Sequence, residues 1–183
     1  MNTDRETSPT ELRVSSLKNI STDKWEQRWR EQHPSIRLRI TRSDDWVEAR
    51  DSAITALLTD EVDVALIRLY PGEIATRLTT EPLHAVIVYS EDQAVLLSKE
   101  HPFANETSLD GALLDDFDLR EALLPAPVAR DARQKDLVTV PVTGLEPTTV
   151  TCVWRVSRDS AAIQDWVGII RGRTGRSSRT QAD

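Results

Sequence analysis

The chain has 183 residues, of which 39% are hydrophobic and 29% charged, enough for one ordinary domain or two small lobes. Its formal net charge of -7 gains nothing from neutralising phosphates, which argues against general nucleic-acid binding by the body of the protein. The single cysteine, Cys152, cannot form an intrachain disulfide and fits a reducing compartment; with no signal-like apolar segment at the start and no membrane-length apolar run, a cytoplasmic protein is expected.

In chain order, residues 1–11 read as a loose polar arm. Residues 12–17 form a short strand candidate, and residues 19–23 a loop rich in possible helix caps. Asp23 and Glu26 stand three apart, the spacing of a capping box. The helix that follows carries Trp25 and Trp29 on one face at i,i+4 spacing. His33-Pro34 ends it, because the residue before a proline is pushed out of the α region. Residues 36–40 alternate with the period of a strand. Asp45 and Glu48 repeat the capping-box spacing ahead of a helix reaching about residue 59, with Val47, Ile54, Leu57 and Leu58 inward. Residues 62–69 are mostly apolar, as suits a strand buried on both faces. Strand, helix, strand, helix, strand is the doubly wound α/β pattern, with a mainly parallel sheet expected.

Tyr70-Pro71-Gly72 is a turn, and two strands are predicted at 83–89 and 94–98 around the polar Ser90-Glu91-Asp92. Residues 108–116 read as a short helix, 119–124 are ambiguous, Pro125-Ala126-Pro127 reads as a break, and 128–133 as a weak helix. A strand at 137–142 follows. Residues 149–156 alternate, placing Val150, Cys152, Trp154 and Val156 on one face. Asp159 is the predicted cap of a last helix with Ile163, Trp166, Val167 and Ile170 inward. From Arg171 onward the chain is Arg-, Gly- and Ser-rich and reads as a disordered tail. No internal repeat is present.

Several of these segments stand in an order that resembles the effector-binding domain of LysR-type transcriptional regulators. Leu12-Arg13-Val14 opens the resemblance; Trp25 and Trp29 lead into His33-Pro34-Ser35-Ile36. Asp60-Glu61-Val62-Asp63-Val64-Ala65-Leu66-Ile67 is similar to an acidic turn entering a buried strand, and His101-Pro102-Phe103-Ala104 to the motif after the crossover strand. The segment from Trp166 to Thr174 is similar to the closing helix of an actinobacterial branch. The resemblance implies a type 2 periplasmic-binding-protein fold: two α/β lobes, two crossovers near 94–98 and 137–142, and a small effector between the lobes. It implies lobe I over residues 12–92 and 145–171, lobe II over 93–144, and a basic tail over 172–183. Two departures are expected: the chain starts at the effector domain, without the helix-turn-helix, and lobe II is reduced, lacking a strand–helix–strand unit of on the order of 30 residues between Phe117 and Leu124.

Ligands in open α/β sheets bind beyond the carboxyl ends of strands. Three places qualify. The loop Lys18-Asn19-Ile20-Ser21-Thr22 precedes a helix whose N–H groups favour an anion, or is ordinary capping. Ser43-Asp44 follows the second strand, where another cap is the plainer reading. Arg68 ends the buried third strand, where its guanidinium can grip a carboxylate in a fork or make a surface ion pair. Lys18, Asn19, Ser21, Thr22, Ser43 and Arg68 are therefore the candidate effector-binding residues, for a carboxylate or other anion. Trp25 and Trp29 belong to a core or a dimer face rather than a ligand stack; with Arg37 and Arg39 they mark the interface that the resemblance implies. His33, His84 and His101 show no metal-ligand spacing, and no cofactor is expected. Cys152 reads as a small core residue, and no G-x-S-x-G, P-loop or G-x-G-x-x-G occurs. Arg171, Arg173, Arg176 and Arg179 read as a solvated tail rather than a nucleic-acid contact.

The expectation is a non-enzymatic, small-molecule-sensing domain that acts in transcription regulation through its ligand or by pairing with a regulator, with no specific DNA binding of its own and no membrane contact. The alternative is a protein that only pairs with full-length regulators and binds no effector.

Overall fold

The computed structural model describes residues 10–43 and 49–172. Its elements are β1 (Glu11–Leu17), α1 (Asp23–Gln32), β2 (Arg37–Ser43), α2 (Ala49–Leu58), β3 (Val64–Leu69), β4 (Leu83–Glu91), β5 (Gln93–Ser98), β6 (Leu109–Asp110), α3 (Leu113–Asp116), β7 (Leu123–Pro125), α4 (Ala126–Ala132), β8 (Leu137–Thr143), β9 (Thr148–Arg155) and α5 (Ala161–Ile170). The expected second capping box, Asp45 and Glu48, lies outside the described residues, as do Asp44, Val47, most of the arm and the tail arginines after Arg171.

Two sheets form, with strand orders β2-β1-β3-β9-β4 and β6-β8-β5-β7. The architecture is α/β as expected, but the sheets are mixed. In the first, β1 pairs parallel with β2 and β3. The returning β9 then inserts antiparallel between β3 and β4. All six residues of β3 are buried, as its apolar run predicts for a central strand. β9 departs from its alternating pattern. Val150, Cys152 and Trp154 join a core with α1 and α5, while Val153 joins a second core with Ala53, Ile54 and Leu57 of α2. Helices cover both faces, so both sets of side chains are buried. Val156 falls beyond the strand and is exposed.

The helix boundaries correct the sequence reading in three places. α1 is capped by Thr22, which makes no side-chain cap bond, and Asp23 is the first helical residue. Its Glu26 does not close a capping box; it accepts the Thr22 hydroxyl at 2.6 Å and Arg42 at 2.6 Å. α5 is capped by Ser160, whose Oγ accepts the Ile163 N–H at 3.3 Å, not by Asp159. Asp159 instead accepts the Trp154 indole at 3.1 Å. Pro127 does not break structure: it sits in the first turn of α4, where a missing N–H costs nothing.

Trp29 and Trp166 are fully buried, with ring centroids 6.0 Å apart in an edge-to-face arrangement; such pairs add about 0.5–1.5 kcal/mol beyond their area. Trp29 donates its indole N–H to the Ile36 carbonyl at 2.9 Å. The Trp166 Nε1 is buried with no hydrogen-bond partner among the described residues.

The second sheet has its own core of Val95, Leu97, Leu109, Leu114, Leu119, Val140 and Val142, and a smaller one of Ala94, Leu124, Val128 and Ala129. The predicted helix at 108–116 resolves into β6 and the single turn of α3. The ambiguous stretch before Pro125 is a short 3-10 turn followed by β7. The chain passes between the sheets twice, from β4 into β5 and from β8 into β9. Side chains lace these passages together: Gln93 donates to the Glu146 carbonyl at 2.7 Å, and Thr148 to the Glu91 carbonyl at 3.3 Å.

Candidate functional site

A cleft of ≈ 210 Å³ lies where the two sheets meet. Among the described residues it is lined by Leu17 at the end of β1, Arg50 of α2, Arg68 of β3, Tyr70 and Glu73 of the turn after β3, and Pro125 and Val128 at the junction of β7 with α4. The parallel strands β1 and β3 end here, so the cleft sits beyond their carboxyl ends, as expected for this class of sheet. Gly72, at φ +83, turns the chain back after β3. A residue without Cβ adopts that conformation without strain. Glu73 then reaches back to accept the Tyr70 N–H at 2.7 Å.

The charged side chains are already paired. Arg68, 5% exposed, grips Glu91, 6% exposed, in a fork: Nε to Oε2 at 2.6 Å and Nη2 to Oε1 at 3.1 Å. Its Nη1 donates to the Lys18 carbonyl at 3.0 Å. Arg50 Nη1 holds both oxygens of Glu73, at 2.7 and 2.8 Å. Burial works to lower the Arg50 pKa, but the Glu73 and Asp51 carboxylates together outweigh it and the value is raised. Lys18 Nζ meets Asp131 of α4 at 3.2 Å, an ion pair that spans the two sheets. Burial raises the Tyr70 hydroxyl pKa. Burial and then the neighbouring Glu91 push Tyr89 up to about 12.

The structure brings only part of the expected site together. Arg68 lines the cleft, but its fork is filled by Glu91 rather than open to a ligand. This corrects the surface-ion-pair reading of Arg68, since the pair is buried. Lys18 stands beside the cleft through its carbonyl and its bridge to Asp131. Asn19 has φ +69 and shapes the turn into α1. Thr22 is 1% exposed, and its hydroxyl is used twice, donating to Glu26 and accepting from Arg42. Ser21 is exposed, and Ser43 sits at the end of β2 with its carbonyl accepting the Lys18 N–H at 3.1 Å. Neither they nor Thr22 are among the residues lining the cleft. Leu17, Arg50, Tyr70, Glu73, Glu91, Pro125 and Val128 are not among the site residues expected from the sequence. Glu91 lay in what reads as a polar loop, and Arg50 and Glu73 carry no local pattern that singles them out.

Of the expected interface residues, Trp29 belongs to the protomer core and presents no surface to a partner, because α1 packs on α5. Trp25 is half-buried against Trp166 at 6.3 Å. Arg37 and Arg39 are exposed on β2, an edge strand of the first sheet. A wider groove of ≈ 490 Å³ runs between α1 and β2, lined by Glu26, Arg30, His33 and Arg37 among others. Its described lining comes from α1, the edge strand β2 and the segments beside them, with nothing from the second sheet. Among the described residues no cluster of three His, Cys, Asp or Glu is arranged to hold a metal, and no helix is long and apolar enough to cross a membrane.

Comparison with known proteins agrees with this geometry. A family model described as the LysR substrate binding domain matches residues 11–119. No curated protein matches the chain. Among solved structures, a cysteine mutant of the OxyR regulatory domain from Pseudomonas aeruginosa is similar at a TM-score of 0.58 and 18% identity, covering 90% of this chain and 99% of that one. The BenM effector binding domain with its effector benzoate is similar at a TM-score of 0.60 and 14% identity, covering 96% and 100%. A cysteine mutant of OxyR from Corynebacterium glutamicum has a TM-score of 0.62 and 16% identity, covering 91% and 65%. At these identities the structures show a shared fold.

Proposed function

The chain belongs to the LysR substrate-binding domain family, and from that membership we propose that it is a regulatory, non-enzymatic domain that senses a small molecule in the cleft between its two sheets. The observation that carries the reading is the composition of that cleft. Residues from both sheets line one cavity at the carboxyl ends of β1 and β3, and the two chain passages beside it are tied together by Gln93 and Thr148. A ligand that touches Tyr70 on one side and Val128 on the other favours one relative placement of the sheets. Differential affinity of that kind is what shifts a conformational equilibrium.

In this reading residues 12–92 and 145–171 are lobe I and 93–144 a lobe II reduced relative to the family, and the closing helix puts the chain in an actinobacterial-like branch. Tyr70, Leu17, Pro125 and Val128 are the contact surface, with Lys18 and Arg68 supporting it. DNA contact is left to the helix-turn-helix of a partner regulator, and the site of action is the cytoplasm. Pairing with a second copy or with such a regulator runs along β2 through Arg37 and Arg39, with Trp25 at the rim. A second reading has one observation in its favour: the cleft is smaller than the 300–1,000 Å³ usual for ligand pockets. A domain that only pairs with regulators needs no pocket at all. A thermal-shift screen of small metabolite-like compounds separates the two, since a ligand that binds only the folded state raises Tm. Compounds that raise Tm, and lose the effect in Tyr70→Ala, support sensing. A library without effect supports pairing alone.

A further inference from the structure

Resting on the reading of the cleft as a small-molecule site, we propose that its ligand is uncharged. Among the described residues the cations around the cleft are each matched by a carboxylate of the chain itself. Arg68 is held by Glu91, Arg50 by Glu73 and Lys18 by Asp131. Among the described residues lining the cavity, the formal charges of Arg50 and Arg68 are thus balanced within hydrogen-bond distance. The start of α1, which follows the Lys18 loop, supplies no spare positive potential either. Asp23 and Glu26 occupy the first turn of α1, and Glu26 takes up both Thr22 and Arg42.

Among the described residues an incoming carboxylate therefore meets no cation without a counter-charge. To pair with one it must compete with Glu91, Glu73 or Asp131 and face that carboxylate's own charge, and in the partly dry part of the site like charges repel strongly. What the described residues of the cleft do offer is apolar surface from Leu17, Pro125 and Val128 and the Tyr70 hydroxyl, which can both donate and accept. At ≈ 210 Å³ the cavity suits a compact body with one amide, hydroxyl or carbonyl group.

The test uses the full chain, labelled with nitrogen-15, and a panel of small aromatic and aliphatic amides, each paired with its isosteric carboxylic acid, benzamide with benzoate among them. Amide-resonance shifts of Leu17, Tyr70 and Val128 report the cleft. The expected result is that amides shift these resonances and the matched acids bind about tenfold or more weakly. In Glu73→Gln, which frees Arg50, the preference moves toward the acids. Acids that bind the wild-type cleft as tightly as their amides overturn the inference and leave the sensing reading intact. A panel that shifts no cleft resonance overturns both.

Discussion

Replacing Glu91 with glutamine leaves the Arg68 guanidinium buried without its counter-charge. Arg68 and Glu91 expose 6% and 4% of their side chains, so solvent screens the pair little. Glutamine preserves the shape and one acceptor, and Arg68 keeps the Lys18 carbonyl, but the charge balance is gone. Breaking a pair of this burial by removing one partner costs about 3–5 kcal/mol, a large share of the roughly 5–15 kcal/mol that holds a domain together. With a urea slope of about 2 kcal/mol/M the unfolding midpoint falls by about 1.5–2.5 M. Tryptophan fluorescence follows the transition directly, because Trp29, Trp154 and Trp166 are buried in the first sheet's core. The double variant Arg68→Met with Glu91→Leu removes both charges and is expected to recover much of the loss, since apolar replacement of a buried pair is often neutral or better. A Glu91→Gln midpoint within about 0.3 M of wild type, a difference well under 1 kcal/mol, would refute the reasoning by showing that water reaches the pair.

Three further outcomes are expected. Trp166→Phe is destabilising by about 1 kcal/mol less than Trp29→Phe, because only Trp29 loses an indole hydrogen bond, to Ile36; equal losses in chemical denaturation would show that Trp166 has a partner. Cys152 is fully buried and burial pushes its thiol upward, so a thiol reagent at pH 8 should label it only in denaturant; rapid native labelling would contradict the burial. The Glu26 pKa is lowered from its ordinary 4.5, chiefly by the Thr22 hydroxyl and also by Arg42. A lowered folded-state pKa contributes stability that is present above about 4.5 and lost as pH falls through the folded value. Stability measured from pH 5 downward should fall less steeply in Glu26→Gln than in wild type; parallel profiles would show that Glu26 contributes nothing to the acid limb.

The fold was largely legible in the sequence because burial leaves a periodic trace. The apolar run of β3, the alternation of β2 and the Trp25–Trp29 face of α1 are local signals of where the core lies. The antiparallel insertion of β9 between β3 and β4 left none, since a strand's direction depends on which neighbour it meets. The helix starts misled for a related reason. Glu26 stood at capping-box distance, but Arg42 of a neighbouring strand competed for it. At the site, Arg68 was legible from its place at the end of β3, whereas its partner Glu91 stands 23 residues away and only the sheet brings them together. The same holds for Arg50 with Glu73, and for Pro125 and Val128, which reach the cleft from the other sheet.

The proposed sensing site is the cavity between the sheets, not the larger groove along α1 and β2. A crystal structure with a compound found by thermal shift tests it most directly. Density is expected against Leu17, Tyr70, Pro125 and Val128. A ligand seated instead against His33, Arg37 and Leu38 in the α1–β2 groove would contradict it.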